Sequence, residues 1–405
     1  MKKKPLYQRD FANLKSFEEI LDRFRNQYEL RPKPRVILQR RYFDTFDWRL
    51  YRSENVIEVD SLTRDPHHPA AAPEALLNRM GSAALGTHDV APTAHAPFRG
   101  VCDMADRRRD VLAMNIGEAS SLGACVCRLR LLGNRSWQRS TNLDQDPDFV
   151  WHFQDQDLRQ YLEPIIAVRR LLLQAEVLVS IEPIDVADDS GKLVLRLELE
   201  KYLRPDRNGR YRSVLVNCRL NPLRGYSKVC KSMLELIDSA RGRPVDIDDP
   251  YLRMLSLENI TPAEYSNKLN TVFDPEISIG QALAQTLLFH MGVIRKNLPG
   301  IQADMDTEYL HDFRIANRRS RTLITQIKHV LPPDQQKYYK AIFSWLSNET
   351  CAHRDLDVFI HDIPHFMRML PRDMRKDLEP LRKEIGGSGP SRSPWNVVGT
   401  STWST

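Results

Sequence analysis

The chain has 405 residues, of which 41% are hydrophobic and 28% charged, with a formal net charge of +6 at pH 7. This length leaves room for two or three domains with a substantial core. The charge is too small for a globally basic protein, and no apolar run approaches the roughly 18 residues that a membrane-spanning helix needs.

The N-terminus and the cysteines indicate a cytoplasmic protein. Lys2, Lys3 and Lys4 are followed by Pro5 and polar residues, where a signal peptide would have an apolar segment. The six cysteines show no CxxC pair and no regular spacing, so we expect reduced thiols.

Strand-like segments dominate residues 1–240. Arg40–Val59 reads RRYFDTFDWRLYRSENVIEV, in which YFDT ends a strand and a leucine-bearing turn leads into the next strand. This segment resembles a signature of CYTH domains. The resemblance implies an antiparallel β-barrel whose tunnel, lined by charged side chains, binds triphosphate-like anions together with a divalent metal.

Two later segments alternate with a period of two. Arg128 and Arg130 share one face of residues 124–132, and residues 192–200 place leucines on one face and charged residues on the other. A barrel with a charged lumen needs this pattern, and so does an ordinary sheet with one wet face. Residues 65–110 are rich in Pro, Ala and His without periodicity and predict a disordered insert.

Residues 241–277 contain several prolines and predict a linker, and residues 278–385 predict a helical domain. Residues 386–405 have no helical period and predict a disordered tail. Within residues 334–353, polar residues form a stripe opposite Ile342 and Trp345. This stripe consists of Lys337, Lys340, Ser344 and Ser347.

Residues 310–330 have the period of an amphipathic helix. Its polar face carries His311, Arg314, Arg318 and Arg321. No acidic residue lies between Asp312 and Asp334, although i,i+4 pairs of opposite charge would stabilise such a helix. The unneutralised stripe predicts an anionic partner, or a basic surface that meets acidic residues elsewhere in the fold.

The spacing HxxRxxxRRxR that begins at His311, followed by RDLDV at Arg354, resembles the motifs of CHAD domains. The resemblance implies a helical bundle whose basic surface binds inorganic polyphosphate. Only the first of the two four-helix copies typical of that family is visible, so a second chain could complete the bundle as a homodimer. The predicted polyphosphate-binding residues are His311, Arg314, Arg318, Arg319, Arg321, Lys328, Lys337, Lys340 and Arg354.

We therefore predict an α+β protein with an incomplete CYTH-like β-barrel at 1–240 and a half-length CHAD-like bundle at 278–385. No aromatic residue interleaves with the arginines to stack bases, so we expect a polyanion and not a nucleic acid. The alternatives are a metal-dependent triphosphatase in the barrel and a decayed chain without function. No Glu-x-Glu-x-Lys strand of the CYTH phosphatases is present, and Glu198 and Glu200 are the weak candidates for a Mg²⁺ site. We predict no other cofactor.

Overall fold

The computed structural model describes residues 8–11, 15–63, 125–132, 137–240, 249–371 and 374–378. The chain divides into two compact units. We call Met1–Asp44, Trp48–Tyr161 and Leu171–Pro262 the sheet unit, and Thr45–Asp47, Leu162–Arg170 and Ala263–Thr405 the helical unit. The predicted insert at 65–110 and the predicted tail at 386–405 lie outside the described residues.

Within the described residues, nine strands form one sheet in the order β1-β9-β8-β7-β3-β4-β5-β6, and β2 pairs with the end of β7. The strands are β1 Gln8–Phe11, β2 Glu29–Pro32, β3 Val36–Thr45, β4 Asn55–Leu62, β5 Cys125–Leu131, β6 Trp137–Leu143, β7 Leu171–Ala187, β8 Leu193–Pro205 and β9 Tyr211–Pro222. The pairings β1–β9, β9–β8, β8–β7, β2–β7, β3–β4, β4–β5 and β5–β6 are antiparallel.

Nine helices accompany these strands in the same described ranges. They are α1 Lys15–Arg25, α2 Arg49–Arg52, α3 Gln156–Ile166, α4 Ser227–Ala240, α5 Pro250–Leu257, α6 Ile279–Gln302, α7 Thr307–Gln326, α8 Pro333–Glu349 and α9 Cys351–Met369. None of them is both long and apolar enough to cross a membrane.

This architecture confirms the predicted α+β class, with an antiparallel sheet followed by a helical region. The prediction of a closed barrel is not confirmed. The edge strands β1 and β6 do not pair with each other in the part of the chain that the structure describes, so the sheet is open there.

One face of the sheet packs against α1 and α4. In β8, Leu195, Leu197 and Leu199 are buried in a core that includes Phe24 of α1 and Met233 of α4. The alternation predicted for this strand therefore corresponds to an apolar face covered by helices and a charged face opposite.

The charged face of the sheet is an internally paired ionic cluster. Arg40 donates to both carboxylate oxygens of Asp60 at 2.8 and 2.9 Å, and Arg128 donates to the same carboxylate. Arg130 contacts Glu58 at 2.5 Å. All five side chains are 3% exposed or less, and ionised groups are stable at such burial only when they are paired.

Arg130 also pairs with Asp249, at 2.6 and 2.7 Å, and Asp249 caps α5 by accepting from the backbone N–H of Tyr251. Tyr251 is itself buried against the ring of Tyr42, with ring centroids 5.1 Å apart. The predicted linker at 241–277 therefore contains a folded helix whose cap belongs to the ionic cluster.

Two helix boundaries in the helical unit differ from the sequence pattern. Helix α6 continues past Pro299 to Gln302, because a proline near the last turn removes only its own N–H from the helix. The segment 334–353, which carries the predicted polar stripe, is divided between α8 and α9 at Thr350, and α9 continues through Pro364.

Arg130→Met should lower the free energy of unfolding of the sheet unit by about 3–5 kcal/mol, because Glu58 and Asp249 would remain buried after losing the guanidinium that pairs with both of them. Urea denaturation measures the change. The control is Arg212→Met, which removes an exposed pair with Asp206 and should change stability by less than about 1 kcal/mol. Equal effects of the two changes would contradict the role assigned to Arg130.

Candidate anion-binding site

The N-terminus of α7 is fixed by a carboxylate. Asp306 is the N-cap, and its side chain accepts from the backbone N–H groups of Glu308 at 2.9 Å and Arg170 at 3.0 Å. A carboxylate at this position accepts hydrogen bonds from backbone N–H groups that have no partner within the helix. Its negative charge also interacts favourably with the positive end of the helix dipole.

A fully buried arginine, Arg169, joins this cap to the body of α7. It contacts Asp306 at 3.2 Å and Asp312 at 2.7 Å, and its guanidinium lies 5.1 Å from the centre of the Tyr309 ring. A third carboxylate, Asp47, lies 3.4 Å from its Nε. Burial raises the pKa of Asp306, while Arg169 opposes that rise.

Asp312 is held by further donors on the core side of α7. Its carboxylate accepts from the Tyr265 hydroxyl at 2.9 Å and from the Asn267 amide at 2.6 Å, besides Arg169. The only acidic residue within the predicted motif is thus engaged away from the arginine stripe. No local pattern predicts this pairing, because residues 169 and 312 are far apart in the chain.

The apolar side of α7 packs closely on α6. Phe313, Ala316 and Ile324 of α7 are buried in one core with Val293 and Ile301 of α6. At Gly300 the two helices are so close that a Cβ atom would overlap the ring of Tyr309, which is 2% exposed. This packing fixes which face of α7 points away from α6.

A cavity of about 270 Å³ lies on the face of α7 that carries the basic stripe. Its lining combines residues of α7, α8 and α9: His311, Arg314, Ile315, Arg318, Arg321, Ser347 and Arg354. Four guanidinium groups therefore border one cavity, three of them from a single helix and the fourth from α9.

Arg314 is held in place by the end of α8. Its Nη1 donates to the carbonyl of Ser347 at 2.9 Å and to Oγ1 of Thr350 at 2.7 Å. Thr350 is fully buried and donates to the carbonyl of Leu346 at 2.8 Å. The carbonyl end of a helix carries partial negative charge, so α8 both stabilises and orients this guanidinium.

The remaining cations of the cavity meet no neutralising carboxylate in the part of the chain that the structure describes. Among the described residues, no carboxylate forms an ion pair with Arg314, Arg318, Arg321 or Arg354, and none lines the cavity. The alternative in which the stripe meets acidic residues elsewhere in the fold thus finds no support in these ranges.

The cavity brings together five of the nine predicted binding residues: His311, Arg314, Arg318, Arg321 and Arg354. The other four, Arg319, Lys328, Lys337 and Lys340, are exposed and do not line it. Arg319 instead donates to the carbonyl of Asn267 at 2.9 Å. Ser347 lines the cavity, as its place in the predicted polar stripe suggested, whereas Ile315 was not predicted.

His311 is half-buried, and its ring forms no hydrogen bond with the described residues. Burial lowers the pKa of His311 below its usual value, and the positive charge of Arg354 lowers it further. The lowered pKa favours the neutral imidazole, and Arg314 donates to α8 and not to this ring.

The candidate metal residues of the sheet unit are engaged by an arginine. Glu198 and Glu200 lie 3.4 and 3.9 Å from Arg219, and Tyr202 donates to Glu200 at 3.3 Å. Burial raises the pKa of Glu198. No group of three or more His, Cys, Asp or Glu in the described ranges is arranged to hold a metal. Mg²⁺ is commonly bound through one or two carboxylates and several waters, but here Arg219 competes with a metal ion for both carboxylates.

Residues 285–388, which include most of α6 and all of α7, α8 and α9, match the model of the CHAD domain family. This match confirms the resemblance to CHAD domains that the motifs at His311 and Arg354 predicted. A search of curated proteins by sequence found no match.

Comparison with solved structures returned matches of low similarity. The putative adenylyl cyclase HpAC1 from Hippeastrum, described as having a dominant triphosphatase activity, has a TM-score of 0.34 at 10% identity, covering 64% of this chain and 99% of that one. A putative adenylate cyclase from Bacillus halodurans has a TM-score of 0.31 at 8% identity, covering 62% and 98%. PH1819 from Pyrococcus horikoshii has a TM-score of 0.28 at 8% identity, with the same coverage.

Gly300→Ala should destabilise the helical unit by about 1–3 kcal/mol, because the new methyl group would overlap the buried Tyr309 ring. The control is Gly292→Ala on the same helix, where a Cβ atom meets nothing within 4 Å. That change should stabilise by about 0.5–1 kcal/mol through helix propensity. Thermal unfolding of both variants measures the difference, and a stabilised Gly300→Ala protein would refute the close approach.

Proposed function

We propose that the helical unit binds inorganic polyphosphate or a similar polyanion in the cavity beside α7. The observation that carries this proposal is the set of four guanidinium groups around one cavity, without a neutralising carboxylate among the described residues. Arginine presents a planar fork of donors that matches phosphate oxygens, and each charge-assisted bond contributes roughly 1.5–3 kcal/mol.

The arrangement of the cations favours an extended anion. Arg314, Arg318 and Arg321 follow the axis of α7, and seven residues of helix correspond to about 10 Å. A single phosphate ion would contact only part of this row, whereas a chain of phosphoryl groups would contact all of it. No Phe, Tyr or Trp belongs to the cavity lining, so the site offers no platform for stacked bases.

Arg318→Gln/Arg321→Gln should abolish binding of long-chain polyphosphate while the fold is retained. Both side chains reach the cavity without a hydrogen bond to the described protein, so their loss should not disturb packing. Arg314 is a poorer choice because it also holds the end of α8. Titration at several salt concentrations measures the affinity. The affinity should fall steeply as the salt concentration rises, because binding releases counterions from the phosphates.

The matched control is Arg295→Gln/Arg368→Gln. It removes the same two charges from exposed positions of α6 and α9 that do not line the cavity. This variant should bind as the parent does, apart from a small loss of long-range attraction. Equal losses in both double variants would show that net charge, and not this cavity, governs binding.

Two further proposals concern a partner chain and the sheet unit. We also propose that a second copy of the chain packs against the bundle as a homodimer, and sedimentation of the parent with and without polyphosphate measures whether dimers form. We also propose a CYTH-like character for the sheet unit, on the basis of its YFDT segment and its charged face.

The alternative function is a metal-dependent triphosphatase in the sheet unit. It requires Glu198 and Glu200 to exchange Arg219 for a metal ion. Mg²⁺-dependent release of phosphate from triphosphate, lost in Glu198→Gln and retained in Arg318→Gln/Arg321→Gln, would establish it. Binding without phosphate release would assign the activity to the helical unit alone.

A further inference from the structure

His311 differs from the other polar side chains of the cavity in having no fixed charge and no hydrogen-bond partner among the described residues. It lies one helical turn before Arg314, so its ring is the next group along the row of cations. An extended anion that contacts Arg314, Arg318 and Arg321 would therefore pass close to the imidazole.

We propose that His311 takes up a proton when the cavity binds its anion, so that a proton is a second ligand of the site. This inference rests on the proposed function and adds to it a dependence of affinity on pH. The anion supplies the negative charge that the protein itself does not place beside the ring.

The charges around His311 explain why the neutral form of the ring is favoured in the absence of a ligand. Arg354 of α9 and Arg169 of the 162–170 segment lower its pKa, in addition to burial, whereas Glu308 and Asp312 on α7 raise it. Arg169 and Asp312 are paired with each other, so they largely cancel at the distance of the ring. The cation of α9 thus outweighs the remaining acidic residue.

An anion in the cavity reverses this balance. It would stand between the imidazole and the surrounding guanidinium groups and would favour the charged form of the ring, because an opposite charge within about 4–6 Å raises a histidine pKa. Binding at a pH between the pKa of the empty and the occupied site must then take up a proton. By linkage, affinity rises as the pH falls through this interval, by at most about tenfold per pH unit for one group.

The experiment measures binding of long-chain polyphosphate to the full chain from pH 5 to pH 8 by calorimetry, in two buffers of different ionisation enthalpy. The interior groups of such a chain stay ionised over this range, so few protons exchange on the ligand. We expect tighter binding at lower pH, with uptake of up to one proton per site. We also expect an imidazole resonance whose titration moves to higher pH when the ligand is added.

Two variants separate His311 from other histidines. His311→Gln keeps a polar side chain that cannot titrate, and its affinity should no longer rise as the pH falls, with no proton uptake on binding. His365→Gln changes an exposed histidine of α9 outside the cavity and should keep the pH dependence of the parent.

The outcomes distinguish this inference from the proposed function. Polyphosphate binding to the parent without proton uptake, or with uptake unchanged in His311→Gln, would overturn the proton linkage and leave the proposed function standing. Absence of binding at any pH and salt concentration would overturn both.

Discussion

The arginine stripe can face a cavity because Arg169 is buried among the carboxylates on the other side of α7. This one guanidinium joins Asp306, which caps the helix, to Asp312, which lies within the motif itself. The two contacts set the position of the helix start and the rotation of the helix about its axis. Tyr265 and Asn267 also donate hydrogen bonds to Asp312, so the carboxylate of the motif is fully engaged in the core. The basic face is then left without an internal counter-charge in the described part of the chain.

The arginines of this protein occur in two different arrangements. On the charged face of the sheet, Arg40, Arg128 and Arg130 are balanced by Asp60, Glu58 and Asp249, and nearly every group is shielded from water. Such a cluster specifies register and strand pairing, because each slip would leave a charge unpaired. Around the cavity the arginines are partly exposed. Among the described residues, Arg314 alone of these arginines donates side-chain hydrogen bonds, to carbonyl and hydroxyl oxygens. The first arrangement is self-sufficient and the second is open to a ligand.

Local patterns predicted the parts of this molecule that depend on local rules. The period of residues 310–330 identified α7 and its buried residues, and the absence of acidic residues identified the stripe that lines the cavity. Alternation identified β8, while the open sheet edge, the cap of α5 by Asp249 and the pairing of Arg169 with Asp312 depend on contacts between distant residues. The same limit explains Arg319, Lys328, Lys337 and Lys340. Their charge fits an anion site, but the packing of α6, α7 and α8 decides which side chains reach it.

The four guanidinium groups of the cavity, which have no carboxylate partner among the described residues, also affect the stability of the fold without a ligand. Like charges at such separation repel one another, and arginine cannot relieve the repulsion by losing its proton. The empty fold therefore carries an electrostatic strain that an occupied one lacks. Small anions of the solution, such as chloride or sulfate, would lessen that strain by gathering in the cavity. Ions that compete with polyphosphate for the proposed site would thus protect the helical unit from unfolding.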